Sequence, residues 1–336
     1  MGMRYPAWLL LTPMVLALHG CGGGGSSDPG TGSSPGSTQK QTAAAQTANN
    51  NAMCTAIAPF YWEIGDKNGA SASGTTGNGT VMSNTSMLIA SASKWIFGAF
   101  LTQLRNGQPT AADIKALTMN SGYNSLTYAD CLRVLPANQA AETVDQCFTS
   151  GSNNTYTAAN DGKFFYNGGH FQKYADVDLN LGGDNSAALT TAVAAQVGQD
   201  FVFNYDSPQL AAGLKMTATD YAVFLRKILN NQLAISGLLG ADAVCTNPST
   251  CSTAMYTPIP QTESWHYSLA HWVEDDPVVG DGSFSSPGAF GFYPWIDKNK
   301  TAYGILARYD TGGQAAYDSV QCGRLIRKAW VTGVVQ

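Results

Sequence analysis

The order of elements in the chain predicts a mixed α/β (α+β) domain, with a sheet assembled from both ends of the folded region around a mostly helical insert. Three observations carry this. Strand-like runs come early, at Ala56–Ile64 (AIAPFYWEI) and Thr75–Met82. Helical patterns fill the middle, at Ser91–Asn106, Thr110–Leu117, Ala187–Val197 and Thr217–Leu229. Three further strand-like runs, His266–Val273, Gly291–Ile296 and Ala302–Tyr309, precede a closing helix over Gln314–Trp330.

Each element has a local reason. Ala56–Ile64 is a short apolar run rich in aromatics, and Asp66-Lys-Asn-Gly69 after it is a turn with glycine where a positive φ is wanted. The helix from Ser91 is closed by Gly107. Thr110 stands as an N-cap before Ala111-Ala-Asp113. Residues 118–165 are polar and rich in Gly and Asn. Thr217 caps an amphipathic helix whose Tyr221, Phe224, Leu225 and Ile228 share one face. The late runs read as three strands separated by turn-like segments. No internal repeat is visible.

Of 336 residues, 44% are hydrophobic and 12% charged. That charged fraction is about half the usual ~25%, and small polar residues make up the difference, as is common in exported proteins. The net charge of −5 gives no electrostatic reason to expect nucleic acid as a partner. Arg4 followed by the apolar run Ala7–Leu18 reads as an export signal, too short to span a bilayer. It ends in Leu18-His-Gly-Cys21, which resembles the bacterial lipoprotein signal. The resemblance implies cleavage before Cys21 and a lipid anchor on that thiol; Gly22, where retention signals have Asp, implies the outer membrane. Residues 22–52 are low in complexity with almost no apolar side chains. The expected organisation is therefore a signal over 1–20, a flexible tether over 21–52 and a folded domain over 53–336, periplasmic or on the cell surface.

Removing Cys21 from seven cysteines leaves six: Cys54, Cys131, Cys147, Cys245, Cys251 and Cys322. In an exported chain six cysteines point to disulfides, with fifteen possible pairings. Nearness favours Cys131–Cys147 and Cys245–Cys251, which leaves Cys54–Cys322 to tie the two ends of the folded region. No C-x-x-C pair or His/Cys cluster occurs, so no metal site and no cofactor are expected.

Ser91 stands three residues before Lys94 at the start of an apolar helical run. On a helix these positions share a face, so the amine can reach the hydroxyl. A serine becomes a nucleophile when a neighbouring base takes its proton, and a lysine desolvated among apolar residues can lose its charge and serve as that base. Spacing alone does not decide the matter, because Ser37 and Lys40 repeat it inside the low-complexity segment.

Five segments, in order, change the weighting. They are IASASKW (89–95), ALTMNSGY (116–123), FFYNGGH (164–170), AAGLKMTATDYAVFL (211–225) and SPGAFGFYPWID (286–297). Together they resemble the motifs of the serine β-lactamase and penicillin-binding-protein superfamily, in particular its class C-like esterase and amidase branch, over most of residues 55–336. The resemblance implies a β-lactamase-like fold, with an antiparallel sheet built from N- and C-terminal segments and flanked by helices. It implies Ser91 as the acyl-enzyme nucleophile and Lys94 and Tyr166 as acid/base groups. The backbone N–H groups of Ser91 and Ala289 would form the oxyanion hole. Asn167, Gly168, His170, Ser286 and Gly288 would contact substrate.

The chain departs from the family pattern in two places. Gly168 stands where many relatives have Asn, with Asn167 or His170 as substitutes. Ser286-Pro-Gly288 lacks the Lys or His that β-lactamases and transpeptidases place before Thr-Gly. The second departure favours a neutral ester or amide over a carboxylate-bearing substrate, so D-alanyl-D-alanine carboxypeptidase or weak β-lactamase activity is the alternative. A Ser-His-Asp triad would need His170, His266 or His271, but no G-x-S-x-G elbow is present. The run Glu274-Asp-Asp276 reads as a solvated acidic loop. A non-catalytic surface lipoprotein binding cell-wall fragments is the competing reading of another class.

Overall fold

The aromatic-rich runs at the two chain ends come together in one sheet. A computed structural model describes residues 36–132 and 139–336; the expected signal and the lipidation residue Cys21 lie outside the described residues. Eight strands form the main sheet: Phe60–Asp66 (β1), Gly69–Thr76 (β2), Val244–Cys245 (β3), His266–Tyr267 (β4), Trp272–Glu274 (β5), Ser283–Ser285 (β6), Tyr293–Ile296 (β7) and Tyr303–Ala307 (β8). Their order is β2-β1-β8-β7-β6-β5-β4-β3, antiparallel throughout. The first strand thus pairs with the last, with Trp62 opposite Leu306.

The helices include Ser37–Asn50 (α1), Ser93–Leu104 (α2), Ala111–Leu117 (α3), Ser186–Val197 (α4), Ala218–Leu229 (α5) and Ala315–Thr332 (α6). Residues Ser93 to Thr102 of α2 are all buried, the signature of a helix enclosed on every side. On α5, Tyr221 packs against Phe292, while α6 brings Gly323 onto the Tyr293 ring. Phe292 and Tyr293 are successive residues of an extended chain and point to opposite faces, so α5 and α6 cover the sheet from its two sides. The expected caps form as read: Thr110 and Asp113 make a reciprocal capping box, and Thr217 accepts from the Asp220 N–H.

Four expectations change. The tether over 21–52 is too long, because Ser37–Asn50 is helical and packs on α6 and β2. Its buried Ala43, Ala44, Thr47 and Ala48 form a one-sided stripe of small residues. Alanine is the best helix former, and small side chains allow close approach without the large apolar residues whose absence read as disorder. The Gln39 amide donates to Gly333 O, and the Gln336 N–H donates to Thr47 Oγ1, stitching this helix to the C-terminus. The second strand is Gly69–Thr76, displaced from Thr75–Met82, because Asp66 pairs directly with Gly69 across a two-residue turn and the return strand starts at once. The run His266–Val273 is a hairpin of β4 and β5, reversed at Ala270 with φ +62°. Glu274, read as part of a solvated loop, is fully buried and held by Arg324 and Arg327.

All three expected disulfides are formed, Cys54–Cys322, Cys131–Cys147 and Cys245–Cys251. The first links residues separated by 268 positions and holds the start of the domain on α6. A cross-link closing so long a loop restrains the unfolded chain most strongly. The double variant Cys54→Ser/Cys322→Ser is expected to lose about 2–5 kcal/mol in urea unfolding; an unchanged midpoint would contradict this role.

Candidate active site

Ser91 sits in a single turn of 3-10 helix, Ala90–Ala92, that leads into α2. The turn is set by its surroundings. Ala90 has φ +44°, a left-handed conformation that a residue with a side chain adopts at a cost. The Ile89 N–H donates to Leu214 O at 3.0 Å, and the Leu214 N–H donates to Ser93 Oγ at 3.2 Å. Tyr221 OH donates to Ala92 O at 2.9 Å, and Ser286 Oγ donates to Ser91 O at 3.0 Å. Gly288 faces the Ile89 carbonyl so closely that a Cβ there would lie 2.1 Å from its oxygen, so only glycine fits.

One helical turn on, Lys94 Nζ lies 2.8 Å from Ser91 Oγ and donates to Ala211 O at 3.0 Å. The side chain is 4% exposed and has no carboxylate partner among the described residues. Burial without a counter-charge penalises the ammonium and brings Lys94 down to about 7. A neutral amine keeps one lone pair, and with one N–H donated to Ala211 O that lone pair is free to face the serine hydroxyl.

Tyr166 closes the other side. Lys94 Nζ is 4.9 Å from its ring centroid, and the ring stacks on Trp272 with centroids 5.2 Å apart. Burial pushes the phenol up to about 12, while hydrogen bonding from Ser91 and Trp272 pulls the other way. Lys94 and Tyr166 are therefore driven in opposite directions by the same dry environment, leaving the amine able to accept a proton and the phenol holding its own.

Ser91, Tyr166, Trp272, Ala289, Phe290 and Tyr317 line one cavity of about 270 Å³, with Thr311–Gln314 at its rim. No Lys, Arg, His, Asp or Glu is among the residues lining it. Ala289 occupies the turn Gly288–Gly291, which is closed by the Gly291 N–H to Gly288 O bond at 2.8 Å. Neither the Ser91 nor the Ala289 N–H donates to a protein acceptor among the described residues.

The other expected substrate contacts lie outside this lining. Asn167 is spent on its own loop: Oδ1 accepts from the Gly169 and Leu126 N–H groups, and Nδ2 donates to Leu126 O. Gly168 precedes the short helix Gly169–Lys173 and packs towards Ala211. His170 is buried; its Nδ1 accepts from the Ser121 N–H, so the proton is on Nε2, which donates to Phe165 O. Burial lowers it to about 4. Ser286 and Gly288 shape the Ser91 turn. His271, stacked on Trp95, and His266, paired with Asp275, do not line the cavity either, which leaves Ser91 with no histidine partner among the described residues and removes the triad reading.

No protein-family model matches the sequence, and no curated protein matches it. Solved structures do. The hydrolase EstCE1, with promiscuous acyltransferase activity, aligns with a TM-score of 0.60 at 12% identity, over 88% of this chain and 99% of that one. A D-stereospecific amidohydrolase from Streptomyces sp. aligns at 0.55 and 13%, over 85% and 98%. A β-lactamase from Mycobacterium bovis aligns at 0.55 and 13%, over 81% and 95%. The fold is β-lactamase-like.

Within this β-lactamase-like fold, sequence reasoning missed Trp272, Tyr317 and the Ala211 carbonyl. Trp272 reaches Tyr166 because β5 pairs with β6, placing it opposite Ser285 and beside the Ser286 turn. A three-residue strand such as β6 carries no visible alternation, so that register could not be read. Ala211 acts through its backbone and has no side-chain signal at all.

Proposed function

We propose that the chain is a serine hydrolase that cleaves a neutral ester or amide through an acyl-enzyme on Ser91. The reading is carried by one observation, the buried and charge-depleted Lys94 amine 2.8 Å from Ser91 Oγ at the edge of an apolar cavity. In this account neutral Lys94 takes the Ser91 proton as Oγ attacks the carbonyl carbon. The N–H groups of Ser91 and Ala289 receive the developing oxyanion. Tyr166 passes a proton to the departing alcohol or amine, and regains one from Lys94. Water then attacks the acyl-enzyme by the reverse sequence of proton transfers.

The uncharged lining supports a neutral substrate. A carboxylate would enter without a cationic partner and lose its hydration, a cost of several kcal/mol in a dry site. We also propose export with a lipid anchor at Cys21, which would hold the domain at a membrane surface. A panel of short p-nitrophenyl esters, amide oligomers and nitrocefin tests the function. Turnover of neutral esters or amides well above that of nitrocefin, lost in Ser91→Ala, is expected; preferred turnover of nitrocefin would overturn the neutral-substrate reading.

A further inference from the structure

Tyr317 sits where two hollows meet. It lines the cavity that holds Ser91, and it also lines a separate groove of about 690 Å³ running along α6. It is the one residue common to both linings. The groove continues down the same helix face through Gln321, Arg324 and Lys328, at four-, seven- and eleven-residue offsets from Tyr317.

The ring is held in place from behind. Tyr317 OH donates to Glu263, a buried carboxylate in turn gripped by both ends of the Arg324 guanidinium at 2.9 and 3.2 Å. Arg324 lies over the Trp265 ring at 4.8 Å, so the anchor is itself fixed. A half-buried tyrosine on the first turn of a helix keeps some rotamer freedom; a charge-assisted bond to a buried, ion-paired carboxylate removes it. The Ser91 cavity that the ring lines also carries the apolar Ile259, Trp272 and Phe290 and no charged side chain, so what the ring bounds is a small uncharged compartment.

We infer that Tyr317 is a specificity-determining partition, latched by Glu263 and Arg324, which ends the substrate compartment at Ser91 and limits it to a short uncharged group. This rests on the serine hydrolase reading above and adds a size limit to it. The ring blocks passage by occupying space, so removing it should join the two hollows and admit a longer chain. Removing only the hydroxyl leaves the volume in place.

The test is a series of p-nitrophenyl esters from acetate to octanoate, read as kcat/KM for the wild type, Tyr317→Ala, Tyr317→Leu and Tyr317→Phe. A compartment closed by an apolar wall discriminates about tenfold or more per excluded methylene. In the wild type the profile should therefore fall sharply beyond a short chain. Tyr317→Ala should raise the octanoate-to-acetate ratio by about tenfold or more on the same scale, Tyr317→Leu should raise it less, and Tyr317→Phe, which keeps the ring but loses its bond to Glu263, should raise it least. Ratios within one protein are independent of the fraction folded, and Tyr317→Leu retains apolar bulk should the alanine variant be unstable. A wild type active on short esters whose ratio is unchanged in both truncations overturns the partition alone. A wild type that turns over no ester and leaves Ser91 unlabelled by alkyl phosphonates of any length overturns the hydrolase reading, and the partition with it.

Discussion

Replacing Lys94 by Ala should lower kcat/KM for a neutral ester by about 10²–10⁴-fold, the scale for losing a positioned general base. Among the described residues, the only other group beside Ser91 Oγ that titrates is Tyr166, whose phenol is pushed up to about 12 and so keeps its proton at any working pH. Nothing remains to take the serine proton. The stability of the variant should move the other way. Lys94 is brought down to about 7 in the folded protein from 10.5 in the open chain. Between those values the unfolded chain binds the extra proton, so stability rises with pH across that window and the penalty is complete below pH 7. Removing the amine removes the penalty, and at pH 6 the variant should melt no lower than the wild type. A site that stores destabilisation in its catalytic group trades stability for activity in this way. Near-normal turnover in Lys94→Ala would end the role assigned to it.

Tyr166→Phe should cost about 10²-fold or more in kcat with little change in KM. The substitution deletes one oxygen and leaves the ring stacked on Trp272, so the cavity wall keeps its shape. Because Tyr166 holds its proton while Lys94 sheds one, the two cannot exchange roles, and the loss should be greatest for substrates with poor leaving groups. A p-nitrophenyl ester, whose leaving group departs without protonation, should suffer less than an alkyl ester or an amide. An equal loss for both substrates would move Tyr166 from proton donor to cavity wall.

The parts of this account legible in the sequence are those governed by short-range rules. Ser91 and Lys94 meet because three residues make one helical turn. Thr110 and Thr217 cap helices because their hydroxyls reach the N–H three residues on. The disulfides followed from nearness and remainder. What was not legible depends on register and backbone. Asn167 and His170 carry polar groups in the right segment, but both are consumed by adjacent main chain, Asn167 by Leu126 and His170 by Ser121 and Phe165. Nothing in residue type distinguishes an amide aimed at a ligand from one bracing a loop. Ser286 reads as a substrate contact, yet its hydroxyl points at the carbonyl of Ser91, a contact between residues 195 positions apart. Residues Ser37–Asn50 misled in the opposite sense, since a stripe of alanines has almost no hydrophobic signal until a partner helix is there to meet it.

The most direct test of the account is the pH dependence of acylation at Ser91. A fluorophosphonate applied to the purified protein should add one mass to one peptide, the one containing Ser91. The rate should rise with pH through an inflection near 7, where Lys94 gives up its proton, and both the adduct and the inflection should be missing from Ser91→Ala. Labelling at another residue, or a Ser91 rate that does not change between pH 5 and 9, would contradict the claim that a desolvated Lys94 activates this serine.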